Sequence, residues 1–176
     1  MRKKWLALAL SLTMVAGCLT GCGGSDSTTS NTNSGSSSND SAKVETLADG
    51  GGKVLNIYVW NDEFSSRFEK YYPDYDKSTK SIGDVKVNFI QNANEGNNYQ
   101  DKLDAALKAQ DSASADDKVD MFLCEMDYVN KYTNTDKALD VKALGLTDED
   151  MSQMYDYTKQ AATGVDGVLR GVSWQG

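Results

Sequence analysis

The sequence predicts an α/β fold, a mostly parallel sheet flanked by helices. Three observations carry this expectation. Short apolar or alternating runs at residues 54–60, 85–90 and 119–124 have strand texture. Between them lie segments whose apolar residues recur at i, i+4, i+7 and i+8, the spacing of one helix face. The run Val119 to Cys124 is nearly continuous in apolar character, as in a parallel sheet covered on both faces. Strand and helix alternate, and that order implies layered structure with right-handed crossovers.

Residues 1–52 stand apart from this pattern. Arg2, Lys3 and Lys4 precede an apolar run from Trp5, which ends in small residues and cysteine. This reads as a bacterial secretory signal over 1–21 with a lipoprotein cleavage site, so the chain is expected to be lipid-anchored outside the cytoplasm. The run is too short and interrupted to cross a hydrocarbon core of roughly 30 Å. Both Val15-Ala16-Gly17-Cys18 and Leu19-Thr20-Gly21-Cys22 fit the cleavage pattern. Cys22 is preferred because glycine-rich polar sequence begins directly after it, with Cys18 the alternative. The following Ser/Gly/Asn-rich stretch to residue 52 buries too little apolar surface to order itself. As a flexible tether it would reach about 30 Å.

Removing 1–21 takes away three cations and no acid, lowering the net charge from -8 to -11. Such a chain does not bind nucleic acid or anionic headgroups by charge. It has no histidine, which removes the usual base of Ser and Cys hydrolases and the commonest zinc ligand. Beyond the anchor region only Cys124 remains, so the domain has no disulfide framework. No cofactor, metal or catalytic residue is expected.

The domain, 53–176, is expected to begin with a buried strand, Val54 to Trp60. Asn61 then offers a helix cap, with Asp62 and Glu63 in the first turn and Phe64, Phe68, Tyr71 and Tyr72 as the apolar stripe before Pro73. A second strand covers Val85 to Ile90. A polar loop follows, and Asn98 caps a helix carrying Tyr99, Leu103, Ala106 and Leu107. After the third strand comes a short helix over Tyr128 to Tyr132. A longer one is expected from Asp148 to about Ala161, capped by Thr147 with Asp150, its stripe Met151, Met154, Tyr155 and Thr158. Asp166-Gly167 between β-branched residues signals a hairpin. Gly171 to Gln175 reads as the start of a strand, so the sequence reads as incomplete.

Ligands of open α/β sheets bind where the strands end and the helices begin. Those ends carry Trp60-Asn61-Asp62-Glu63, then Gln91 to Gly96, then Glu125-Met126-Asp127-Tyr128, with Trp174-Gln175 closing the set. Aromatic rings beside carboxylates and amides suit a neutral polyhydroxylated ligand, stacked through its C–H face and bonded through its hydroxyls. There is no glycine-rich phosphate loop. Ordinary structural roles compete at each position. Trp60 ends a buried run, Asn61 is a helix cap, and Glu95 and Asp127 read equally as solvated loop acids. Trp174 reads equally as a packing residue, and Cys124 as a small core residue.

With these passages in order, the chain resembles the extracellular solute-binding proteins of bacterial sugar ABC transporters, the maltose-binding-like group. The resemblance rests on LTGC with its tether, VLNIYVWNDEFSSRFEKYYP, VDMFLCEMDYVNKY and VDGVLRGVSWQG, and extends to the last residue. It implies a class II periplasmic-binding-protein lobe, the first of two, with the second lobe missing. It also implies a sugar gripped between lobes and delivered to permease subunits without chemistry. The family's ligand contacts correspond to Trp60, Asn61, Glu63, Glu95, Glu125, Asp127 and Trp174. Rival expectations are an anchored glycoside hydrolase using Glu95 and Glu125 as acid and base, a surface interaction lipoprotein, and a binder of peptides or polyamines.

Overall fold

A computed structural model describes residues 50–175. The expected signal segment, with Cys18 and Cys22, and the expected tether up to residue 49 lie outside the described residues. Among those described, no helix is long and apolar enough to cross a membrane.

The chain forms β1 (Val54–Val59), α1 (Glu63–Tyr71), β2 (Tyr75–Asp76), β3 (Ser81–Ile82), β4 (Val85–Gln91), α2 (Asn98–Ala109), β5 (Met121–Phe122), α3 (Val129–Thr133) and α4 (Asp156–Ala161). The five strands make one sheet in the order β2-β3-β4-β1-β5. Strand β1 runs parallel to β4 and β5, whereas β2, β3 and β4 are antiparallel. The sheet is therefore mixed rather than mostly parallel. The antiparallel part comes from 75–85, where Gly83-Asp84 joins β3 to β4 in a two-residue turn and Gly83 takes φ +58°.

Alternation along β1 divides the core. Ile57 and Val59 point to one face, where Val87 and Leu123 join them under Phe64 and Phe68 of α1. On the other face Tyr58 packs with Tyr99, Leu103 and Leu107 of α2, and with Val119 and Tyr132. The sheet is thus covered by α1 on one side and α2 on the other. Asn56, buried within β1, donates its amide to the carbonyls of Asp116 and Lys118 and accepts from Asn88 Nδ2, all at 2.8 Å. A buried amide fully bonded in this way sets strand position without an unmet polar group.

Several expected elements are corrected. The α1 stripe is Phe64 and Phe68; Tyr71 faces solvent at 67% exposure with the Lys70 ammonium over its ring. Tyr72 follows the helix and stacks on Phe68 at 4.7 Å. Asn98 is the first residue of α2 rather than its cap; Asn97 precedes it at φ +64°. The third strand shortens to Met121–Phe122, although Asp120 N–H to the Asn56 carbonyl and Leu123 N–H to the Tyr58 carbonyl continue its pairing. It borders the sheet, and Met121 is 42% exposed, so coverage on both faces does not extend to it.

The helix expected from residue 148 is helical only over Asp156–Ala161. Thr147 and Asp150 do bond reciprocally, with the Thr147 amide and hydroxyl on Asp150 Oδ2 and the Asp150 amide on Thr147 Oγ1. Beyond them the Ser152 hydroxyl takes the Glu149 carbonyl at 2.7 Å, a local bond that competes with the helical ladder. Tyr155 is extended and 62% exposed, while Met151 alone of the expected stripe is buried.

The Asp166-Gly167 signal yields a tight turn. Gly167 adopts φ +79°, and Thr163 bridges Leu169 in antiparallel fashion. Arg170 holds Asp166 through two bonds, at 2.7 and 2.6 Å, and reaches the Thr133 carbonyl at 3.1 Å. This arrangement needs a glycine at 164, where a Cβ would lie 2.5 Å from Arg170 Nη1 and 2.6 Å from the Thr133 carbonyl oxygen. Gly171 to Gln175 forms no strand. Gly164→Ala is expected to cost about 1–3 kcal/mol, since the peptide carbonyl cannot move aside as a side chain can. Urea unfolding would register this as a lower midpoint at unchanged slope.

Candidate functional site

The register sets the rim. Val59 pairs with Gln91 and Tyr58 with Phe122, so β1, β4 and β5 run in the same direction and finish at the same edge. The Asn92 amide on the Val59 carbonyl, at 2.9 Å, carries the β1–β4 pairing one step further. The segments that leave this edge are Trp60-Asn61, Asn92 to Asn98, and Cys124 to Tyr128.

Trp60 is half-buried, its ring edge-on to Tyr99 with centroids 5.4 Å apart at 89°. Tyr99 itself is fully buried. Its hydroxyl donates to the Leu123 carbonyl at 2.7 Å and accepts from the Leu123 amide at 3.1 Å. Burial raises the ionisation of this phenol far above the usual tyrosine range, so it acts only as a neutral bridge. Asn61 accepts the Glu63 amide at 3.0 Å, which satisfies a free donor of the first helical turn. The cap position itself falls to Asp62, whose side chain makes no capping bond, so Asn61 stands one residue before the expected cap.

Glu63 begins α1 and takes Arg67 Nη2 at 2.8 Å, with Gln175 Nε2 3.4 Å away. Glu125 is half-buried after β5 and accepts Asn94 Nδ2 at 3.2 Å, which joins the loops after β4 and β5. Glu95 and Asp127 are exposed in the same two loops. Trp174 lies against α1, edge-on to Phe64 at 5.3 Å with the Arg67 guanidinium 5.7 Å from its ring centre.

Two groups of the seven expected residues emerge. Trp60, Asn61 and Glu125 share the strand-end rim with Glu95 and Asp127, and Glu63 with Trp174-Gln175 forms a cluster at the start of α1. Both indoles pack on the cluster around Ile57 and Val59. Among the described residues no hydrogen bond, ion pair or ring contact joins Trp60 to Trp174, or Glu95 or Asp127 to another of the seven. The role of Asn94 in holding Glu125 is the addition that the fold makes. The run of amides from Gln91 to Asn98 was its trace in the sequence.

The rim is acidic. Residues 60–64, 91–98 and 124–128 contain Asp62, Glu63, Glu95, Glu125 and Asp127 and no Lys or Arg. The nearby cation Arg67 is engaged by Glu63. Among the described residues no group of three or more Asp, Glu, Cys or His is arranged to hold a metal. Two cavities, of about 270 and about 220 Å³, lie elsewhere, one between the end of α3 and Arg170 and one between α2 and α3. Neither is lined by any of the seven residues.

Two outcomes follow from the floor of the rim. Tyr99→Phe leaves the Leu123 peptide without its bridging hydroxyl and is expected to lower stability by about 1–3 kcal/mol, measured by urea unfolding. Burial pushes the Cys124 thiol up to about 12. Iodoacetamide at pH 8 should therefore leave Cys124 unmodified in the native protein and alkylate it in urea, as read by mass spectrometry. Compared with protein-family models, curated proteins and solved structures, the chain matches none.

Proposed function

We propose that this chain is the carbohydrate-binding subunit of an ABC importer. In this reading it is a class II binding-protein lobe, anchored by lipid at Cys22 on the extracellular face of the bacterial membrane, which passes a mono- or oligosaccharide to permease subunits. It performs no chemistry. The observation that carries the proposal is the rim where three parallel strands end together. Three loops leave that rim, one carrying the half-buried indole of Trp60 followed by Asn61, the other two joined by the Asn94–Glu125 pair. An indole offers a face to sugar C–H groups, while amide and carboxylate take hydroxyls. Glu63, Glu95, Asp127 and Trp174 extend the same set. A second reading, a cationic ligand such as a polyamine, is favoured by Asp62, Glu95, Glu125 and Asp127, none of which is in an ion pair among the described residues.

Thermal unfolding of the full chain across a panel of neutral mono- and oligosaccharides, with spermidine alongside, separates the readings. A bound sugar at a hundredfold excess over its Kd should stabilise the fold by about 2.7 kcal/mol. Trp60→Ala should abolish that shift and Trp60→Phe retain part of it. A panel in which no sugar moves the transition would overturn the proposal, and a shift with spermidine alone would establish the second reading.

A further inference from the structure

We propose that residues 170–175 form a clasp pinned at two unequal ends, with Glu63 controlling the weaker one. Among the described residues, no backbone hydrogen bond ties the segment from Gly171 to Gln175 to the rest of the protein. The last such bond is from the Arg170 amide to the Ala162 carbonyl, at 2.9 Å. Side chains alone therefore hold the segment across its length.

The Arg170 end is firm. Its side chain is only 16% exposed, grips Asp166 with both terminal nitrogens and donates a further bond to the Thr133 carbonyl. Paired, bidentate and shielded, such a contact resists exchange with water. The Trp174 end is different. Trp174 touches Phe64 by its edge and has Arg67 over its ring. Gln175 Nε2 stands 3.4 and 3.5 Å from the two Glu63 oxygens, at the outer limit of a hydrogen bond.

Glu63 thus serves both contacts. One oxygen holds the Arg67 head that lies over Trp174, and the carboxylate as a whole receives Gln175. Loss of that carboxylate frees Gln175 and releases Arg67, so the Trp174 end opens while the Arg170 end stays closed. A ligand hydroxyl taken by Glu63 would compete with Gln175 in the same way. That last consequence rests on the carbohydrate reading, whereas the clasp itself does not.

Fluorescence of the full chain with Trp5 and Trp60 replaced by Phe reports Trp174 alone. In that background Glu63→Ala should raise acrylamide quenching of Trp174 about twofold, the scale expected for losing an exposed polar pair, and Gln175→Ala should raise it by a smaller amount. The double substitution should match Glu63→Ala alone, and the thermal midpoint should stay near that of the parent. Arg170→Ala should instead lower the midpoint, because Asp166 and the Thr133 carbonyl lose their partner. Unchanged quenching in Gln175→Ala, full additivity in the double variant, or a midpoint loss in Glu63→Ala equal to that of Arg170→Ala would each overturn the proposal.

Discussion

The arrangement depends on one hydroxyl. Strand β5 has a ladder of only two residues, extended onto β1 by the Asp120 and Leu123 amides. Tyr99 reaches the seam from α2, and its hydroxyl lies within hydrogen-bond range of the Leu123 amide, the Leu123 carbonyl and the Tyr58 carbonyl. Helix, central strand and edge strand are thereby tied at one buried point. In a dry interior this bond is worth more than on the surface, and leaving its partners unmet costs correspondingly more. The same ring supports Trp60, so the aromatic residue at the rim rests on the interaction that joins the layers.

From this seam outward the molecule becomes progressively less constrained. The parallel core of β4, β1 and β5 is pinned by Asn56 and Tyr99, both buried and hydrogen-bonded. The antiparallel edge rests on a two-residue turn and short ladders. Past α3 the chain relies on turns, on the Thr147–Asp150 pair and on the Arg170–Asp166 contact rather than on long elements. The residues proposed to meet a ligand sit where the firm core passes into loops. A rigid support carrying adaptable loops is the usual setting for binding.

Much of the core was legible locally. Alternation at Val85 to Ile90 and the spacing of Tyr99, Leu103 and Leu107 reflect burial directly, because pattern and face are the same physical fact. Phe64 and Phe68 were legible for that reason, and Tyr71 was misleading because tyrosine packs acceptably at the surface as well as inside. The hairpin over residues 75–82 left a weaker trace, since two-residue strands have too little length for alternation to show. The long helix expected after residue 147 failed for another reason. Its start signal was real, but the serine at 152 and the extended Tyr155 ended the ladder, and such competition is decided by local hydrogen bonds rather than by hydrophobic spacing.

The candidate site divides along the same line. By itself the sequence determined the α/β class, the parallel pairing at the centre, the acidic character of the strand-end loops and the positions of the two indoles, because these follow from composition and periodicity along the chain. Only the tertiary structure decided that Asn94 meets Glu125, that Glu63 is shared between Arg67 and Gln175, and that the two indoles take separate seats on a common apolar cluster. Those contacts join residues 31 and 112 positions apart. A partner so distant is chosen by strand register and helix placement, and neither is written into the local pattern of either residue.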